Sequence, residues 1–467
     1  DHYFGPIREK IISFRQEVNE NLWVLGIPAK TEHNEVAPSQ HELATIFSQT
    51  NIAADQNERV RLILKKIAKK HGFICLLGEK PFNGVNGSGK HNNWSINTDT
   101  GINLFRPGDK PKDNKLFLVF LTAVIKGVDE YAGLLRSSVA TYGNDFRLGA
   151  NEAPPAILSI FLGDELEEVV EDIVSEKKDK KGKEASKLLT GAKSLPVLSK
   201  DTTDRNRTSP FAYTGNRFEF RRVGSEQNIA TPNTVLNTIT GYELKEFADT
   251  VEKAKDKDKA INNWIRVNLE KHQRILFNGD GYSEDWVKEA EKRGLPNLKT
   301  TVEATDVLLE KKVKDLFRDS KVLSETELLS RANIKYERYA NQAIIDSKTR
   351  SHRARKQYLP SINKYLGKLA NEIKDLKEAG IPVPPTTFDT ANKIAALLEE
   401  AGTATDALDG LLEDAKNFHG RDLAIFSRDQ LLPARHALRS PIDQLELLVS
   451  KEDWPVPSYG DLLFHII

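Results

Sequence analysis

Apolar residues recur at helical spacing in several segments, other segments alternate with period two, and beyond about Leu298 only the helical spacing persists. These patterns predict an α+β chain, with helices and strands mixed in one body and a helical appendage after it. In chain order, Glu9 to Leu25 reads as a helix, and Lys30 to Phe47 as two extended segments around a turn at Pro38-Ser39. Asn57 to Lys70 is a helix by its Val60, Leu62, Ile63 and Ile67 stripe. Phe73 to Leu77 reads as a short buried strand feeding a glycine-rich loop, and Asn92 to Thr98 alternates like a strand. One long helix is expected from about Asn114 to Val139, and the lysine-rich stretch from Ser175 to Lys187 reads as a solvated loop. Arg217-Phe-Glu-Phe-Arg221 alternates charge and aromatic ring.

The change near Leu298 divides the chain into residues 1–298 and 299–467. Ser324-Glu-Thr-Glu327 is a capping box opening a helix, and heptad-like apolar spacing continues to Leu448, interrupted at Pro382-Val-Pro-Pro385. Trp454 to Gly460 is fixed by prolines. No cluster of catalytic residue types lies in this second region, which therefore reads as packing and assembly surface.

At 467 residues the chain exceeds what one core usually fills. Lys plus Arg number 68 and so do Asp plus Glu, which removes any bulk electrostatic case for nucleic acid or an anionic membrane as partner. Apolar runs such as Leu116 to Ile125 are too short to cross a bilayer. A single cysteine, Cys75, excludes an intrachain disulfide and a four-cysteine zinc site, and fits a reducing cytoplasm. The chain opens Asp1-His-Tyr-Phe-Gly and contains no methionine, so an N-terminally shortened and deliberately recoded chain is expected.

The loop from Lys80 to Ser95 delivers His91 into a tract of glycines and small polar residues. Gly84, Gly89 and Lys90 satisfy part of a P-loop, but His91 stands where a hydroxyl should meet magnesium, and no helix follows. Glu35 and Glu42 lie seven residues apart, an odd separation that would send them to opposite faces of one strand. A turn at Pro38 folds the second segment back, so that both enter one cavity and suit a hard divalent cation, or both face solvent unpaired. His91 is either a ligand or a hydrogen-bonded structural histidine. Arg217, Glu219 and Arg221 share one strand face, with Phe218 and Phe220 on the other, which describes either a metal carboxylate between two guanidiniums or a salt-bridged exposed strand. Further guanidiniums follow in Asp204-Arg-Asn-Arg207-Thr-Ser-Pro, and Gly143 to Pro155 adds Arg147 and Glu152. Acids, one histidine and several arginines together make the inventory for metal-assisted phosphoryl transfer with an anionic co-substrate.

Five motifs in this order, Asn34-Glu-Val-Ala-Pro-Ser-Gln-His-Glu42, Asn86-Gly-Ser-Gly-Lys-His91, Arg147-Leu-Gly-Ala-Asn-Glu-Ala-Pro154, Asn206-Arg-Thr-Ser-Pro210 and Phe218-Glu-Phe-Arg221, resemble glutamine synthetase, specifically its long type III branch. The ending Leu-Leu-Phe464 resembles that branch as well. The resemblance implies an antiparallel curved sheet flanked by helices, a helical appendage, and assembly as a homo-oligomer of stacked rings. It implies ATP-dependent ligation of ammonia to L-glutamate through γ-glutamyl phosphate. It assigns Glu35 and Glu42 to one Mg²⁺ or Mn²⁺ and His91 and Glu219 to a second. It assigns Asn86 and Gly87 to glutamate, Arg147 and Arg221 to its carboxylates, Arg207 to the transferring phosphoryl group, Arg217 to nucleotide phosphate, and Asn93 and Ser95 to the nucleotide. Glu152 becomes the flap carboxylate that closes over glutamate and helps deprotonate ammonium.

Departures accompany the resemblance. Gly78 and Phe146 stand where it leads one to expect histidine, and Arg222 and Val456 where it leads one to expect methionine or another apolar residue. A Glu-x-Glu strand with two further metal carboxylates, and an N-terminal domain whose aspartate completes the ammonium site, are both expected of the family and not found in this sequence. The chain alone is therefore expected to keep the catalytic fold with little synthetase activity. Two alternatives stand beside it: a γ-glutamyl-amine ligase with an altered ammonia pocket, and a truncated or engineered scaffold without activity.

Overall fold

The computed structural model describes residues 3–150, 153–175, 187–188, 198–199 and 207–464. Two compact units are present, one formed by Tyr3–Ala37 with His41–Leu329, the other by Pro38–Gln40 with Ser330–Ile467. The first unit begins α1 (Glu9–Val24), β1 (Ala29–Asn34), β2 (His41–Thr45), α2 (Thr50–Lys70), β3 (Gly89–Trp94), α3 (Lys115–Glu130) and α4 (Ala132–Ser138). It continues α5 (Tyr142–Arg147), β4 (Ile160–Phe161), α6 (Asp164–Val174), β5 (Lys187–Leu188), β6 (Leu198–Ser199), β7 (Phe211–Tyr213) and β8 (Phe218–Gly224). Helices α7 (Ala230–Glu252), α8 (Lys257–His272), α9 (Glu284–Lys292), α10 (Thr301–Asp306) and α11 (Lys311–Asp319) complete it. The division between units falls within α12 (Glu325–Arg353), and the second unit adds α13 (Leu359–Glu378), α14 (Pro385–Asp414), α15 (Gly420–Phe426), α16 (Leu432–Glu446) and α17 (Tyr459–Phe464).

Helices α1 and α2 form because each carries one apolar stripe. Val18 and Leu22 of α1 meet Val60 and Ile67 of α2, with Ile27 and Ala29 closing the cluster. This pair supports the antiparallel hairpin of β1 and β2, in which His33 lies directly opposite Glu42. Ser39, with φ of 57°, makes the turn at the place expected from Pro38-Ser39.

The main sheet runs in the order β3, β8, β7, β4. Its pairings are antiparallel except at the edge, where β4 runs parallel to β7, so the expected antiparallel sheet holds for three of its four strands. Trp94, Phe105, Phe211, Phe218 and Phe220 form the aromatic layer under it, with Phe211 and Phe218 stacked at 4.8 Å. Helix α3 is buried nearly all round, packed between α7 and α8, as its continuous apolar sequence requires. Lys126 of α3, also buried, is neutralised by Glu243 and Glu246 of α7.

Several expectations are corrected. Helix α2 starts at Thr50, earlier than Asn57, because its first two turns also present Ala54 to the core. Phe73 to Leu77 joins no strand among the described residues. Ile74 is 87% and Leu76 55% exposed, since a short apolar run does not by itself supply a strand partner. The helix expected over Asn114 to Val139 is two helices, because the backbone leaves helical geometry at Tyr131 (φ −116°, ψ 28°). Ladder pairing of β3 ends at Trp94, and beyond it Asn97 makes only an isolated bridge to Asn103. Most of the lysine-rich stretch, residues 176–186, lies outside the described residues. The Ser324 capping box is present, with reciprocal bonds between Ser324 and Glu327. In the second unit α14 packs against α13 and α16 around Ile394, Leu397, Leu408, Leu438, Ile442 and Trp454. No described helix is long and apolar enough to cross a membrane.

Arg222 is the exception to good packing. Period two places it on the face of Phe218 and Phe220, where it is 0% exposed and none of its three guanidinium nitrogens has a hydrogen-bond partner among the described residues. Burial, with Arg136 and Arg147 nearby, pushes its proton affinity well down. A buried charge without a partner costs several kcal/mol, so Arg222→Met should raise unfolding stability by about 2 kcal/mol or more. Urea denaturation measures this, and an unchanged or lower midpoint would refute it.

Candidate active site

Two acid-rich clusters lie in the first unit. In the β1–β2 hairpin, His33 and Glu42 face each other across the ladder, and Glu35 follows His33 by two residues, hence on the same side. His33 Nε2 lies 2.9 Å from Glu35 Oε1 and 3.3 Å from Glu42 Oε2. One ligand atom from each of the three falls within 4.8 Å of the others. The turn thus brings Glu35 and Glu42 together and adds His33, which the sequence reading left out. Burial, the hydrogen bond and charge of Glu35, and the charge of Glu219 push the Glu42 carboxyl up to about 8. Arg15 of α1 orients the hairpin end, donating from Nη2 to His33 O at 3.0 Å and to Asn34 Oδ1 at 3.4 Å.

The second cluster spans β3 and β8. Asn93 pairs with Glu219, and His91, two residues earlier on the same exposed face, places Nδ1 2.8 Å from Glu219 Oε1. Between Lys90 and Asn92 the register slips, so that Arg221 and Arg222 together oppose His91. Arg221 donates to Glu219 Oε2 at 3.2 Å and to Ser209 O at 3.3 Å. Burial alone would raise the Glu219 carboxyl, but the His91 hydrogen bond and the Arg221 charge outweigh it and hold the group at about 2. Glu219 and Arg221 are both buried, so this strand is not the salt-bridged exposed one that its charges allow. The field of Glu219 at Glu42 brings the two clusters within interaction range of each other.

Behind His91 the glycine loop is anchored. Lys90 donates to Ser225 O at 2.7 Å and to Gly224 O and Gln227 O, which ends its candidacy as a P-loop lysine. Asn86 Nδ2 is buried without an acceptor among the described residues. Arg147, 4% exposed, donates to Arg221 O at 3.1 Å, Asn144 Oδ1 at 3.3 Å and Val223 O at 3.4 Å. Burial lowers its pKa to about 10, with Glu79 acting against the shift. Gly89 faces this guanidinium so closely that a Cβ there would stand 2.1 Å from it. Asn93, Ser95, Arg207 and Arg217 are exposed, with Ser95 Oγ accepting from Asn103 at 2.9 Å. Glu152 lies outside the described residues.

Residues 3–159 match the family model for the glutamine synthetase catalytic domain, and residues 260–377 match that for the glutamine synthetase C-terminal domain. The chain is 43% identical to the type-3 glutamine synthetase of Dictyostelium discoideum over 99% of its own length and 64% of that protein. It is 41% identical to a glutamine synthetase of Butyrivibrio fibrisolvens over 100% of its length and 67% of the relative. The chain belongs to the glutamine synthetase family. It spans about two thirds of the length of these relatives. A solved glutamine synthetase of Plasmodium falciparum superposes with a TM-score of 0.48 at 14% identity, over 72% of this chain and 60% of that one.

Glutamine synthetases imply a divalent cation, and the hairpin cluster of this member fits one. Two carboxylates and an imidazole converge, and a carboxyl held protonated by burial and by a neighbouring carboxylate is one that a cation between them would let ionise. The sign of the pH effect follows. Without a cation, the folded chain binds more protons at Glu42 than the unfolded chain between the ordinary carboxylate range and about pH 8. Stability should therefore fall as pH rises through that window, by about 1 kcal/mol or less, because the Glu42 side chain is 43% exposed and screened. Glu42→Gln should flatten the slope of the urea midpoint against pH, and an identical slope in the variant would contradict this.

Proposed function

We propose that this chain carries the catalytic part of a glutamate–ammonia ligase, in which ATP phosphorylates the side-chain carboxylate of L-glutamate and ammonia displaces phosphate from γ-glutamyl phosphate to give glutamine. The observation behind it is the pairing of His91 with Glu219 across β3 and β8, within the field of the His33, Glu35 and Glu42 cluster. A carboxylate is a poor electrophile until phosphorylation supplies a leaving group, and charge must be offset while the phosphoryl group moves.

Glu35 and Glu42, joined by His33, would hold one Mg²⁺ or Mn²⁺, and His91 with Glu219 a second. Bound there, the cations would offset the negative charge of the phosphates and of glutamate. Glu219, ionised throughout the physiological range, needs no proton loss to serve as ligand. Asn86 brings an unused amide donor for glutamate, and Gly87, packed against the Glu79 carbonyl, would bind it beside Asn86. Arg147 and Arg221 would hold its carboxylates, Arg207 the transferring phosphoryl group, and Arg217, Asn93 and Ser95 the nucleotide. Glu152 would close over glutamate and accept a proton from ammonium. A homo-oligomer and a cytoplasmic location belong to the same proposal.

Titration calorimetry of magnesium ATP into the purified chain tests this reading. Saturable binding is expected, weakened by about tenfold or more in His91→Ala and in Glu219→Ala. Binding that survives both substitutions unchanged, or no binding at all, would remove the metal–nucleotide assignment. Glutamine formation with ammonium, set against a panel of primary amines, then checks the nucleophile.

A further inference from the structure

Glu79 has no role in the reading above, although it is a carboxylate only 3% exposed among the segments assigned to glutamate. Its surroundings are made of missing side chains. A Cβ on Gly143 would stand 2.2 Å from Glu79 Oε2, and one on Gly224 would stand 2.2 Å from Oε1. A Cβ on Gly87 would stand 2.6 Å from the Glu79 carbonyl oxygen. Each is closer than a real Cβ approaches a heavy atom, so even alanine at 143 or 224 would evict the carboxylate. The Glu226 amide donates to Oε1 at 3.3 Å, the Ser88 amide donates to Glu79 O at 2.8 Å, and Ser225 Oγ donates to Leu77 O at 2.6 Å.

These three glycines belong to three segments that meet around Glu79. Gly87 adjoins Asn86, Gly143 lies one helical turn before Arg147 on α5, and Gly224 ends β8 three residues after Arg221. Those segments carry Asn86, Gly87, Arg147 and Arg221, the residues assigned to bind glutamate. We infer that Glu79 is a positioning residue: its carboxylate, seated between Gly143 and Gly224, and its carbonyl, held by Gly87 and the Ser88 amide, together set the spacing of the glycine loop, the start of α5 and the end of β8, and so the geometry of the glutamate subsite. The ligand's identity rests on the proposed function, whereas the seating of the segments does not. Asn144 adds to the same junction, donating to Arg222 O and Val139 O at 2.8 Å each, so the start of α5 is tied to β8 and to the end of α4.

Amide hydrogen exchange on the full chain, with L-glutamate and magnesium ADP titrations, tests it. Glu79→Gln keeps the shape and removes the charge, and Gly143→Ala keeps the charge and removes its seat. Both should accelerate exchange in residues 84–89, 141–149 and 221–228 by about tenfold, leaving α3 and α14 unchanged. Both should weaken L-glutamate by about tenfold while magnesium ADP stays within about twofold. Glu79→Ala introduced into Gly143→Ala should restore the space but not glutamate affinity. Unchanged exchange, a uniform rise across the chain, or equal loss of both ligands would overturn the assignment. Should Glu79→Gln not fold, Glu79→Asp takes its place with the same local pattern expected. If the unaltered chain binds no glutamate, the proposed function fails there, and the exchange pattern alone decides the role of Glu79.

Discussion

A strand covered on both faces leaves a charged side chain only another charge or a polar group to meet, and β8 is such a strand. Every residue from Phe218 to Gly224 is buried. Phe218 and Phe220 enter the aromatic layer, so Glu219 and Arg221 must turn to the other face, where each answers the other and His91 completes the set. Desolvation would otherwise push the Glu219 proton affinity up, and the His91 hydrogen bond and the Arg221 charge reverse it. The same alternation sends Arg222 inward with nothing to answer it. One strand thus holds both a compensated charge in the candidate site and an uncompensated one in the core.

The hairpin solves the opposite problem. Two carboxylates and a histidine converge with no lysine or arginine between them, so the field there is negative and one proton is retained. Arg15 does not relieve it: its guanidinium bonds His33 O and Asn34, and the carboxylate whose charge it meets is that of Glu32. On the proposed reading, the anionic hairpin and the neutralised strand would make two cation environments of different strength. On that reading the hairpin would gain more from a divalent ion, because ion binding there would also relieve repulsion.

Much of this was legible as period-two arithmetic. Counting from Arg217 to Arg221 assigns Glu219 and Arg221 to one face correctly, and the turn at Pro38 explains how Glu35 and Glu42 meet. The same count, carried one step back from Glu35, finds His33, and carried one step on from Phe220, finds Arg222 in the core. Other features left no local trace. Phe73 to Leu77 has the composition of a buried strand, but pairing depends on a neighbour that an apolar run does not specify. Glu79 is one acid among many until Gly87, Gly143 and Gly224 are brought together, and no short-range pattern links residues so far apart in the chain.

The two arginines assigned to the glutamate carboxylates are not equivalent. Arg221 is held by the Glu219 carboxylate, a charge-assisted bond that an incoming carboxylate would have to match in strength before displacing it. Arg147 is held by two backbone carbonyls and an amide oxygen, all neutral acceptors, so an anion reaching it exchanges weak bonds for stronger ones. Burial also lowers the pKa of Arg147 to about 10, a mark of a cation short of counter-charge. On the proposed reading, Arg147 therefore supplies more of the net attraction for a substrate carboxylate, while Arg221 serves first to keep Glu219 ionised beside His91. The position of the Arg147 guanidinium against Gly89 then becomes the point at which the glycine loop, through its lack of side chains, controls access to that attraction.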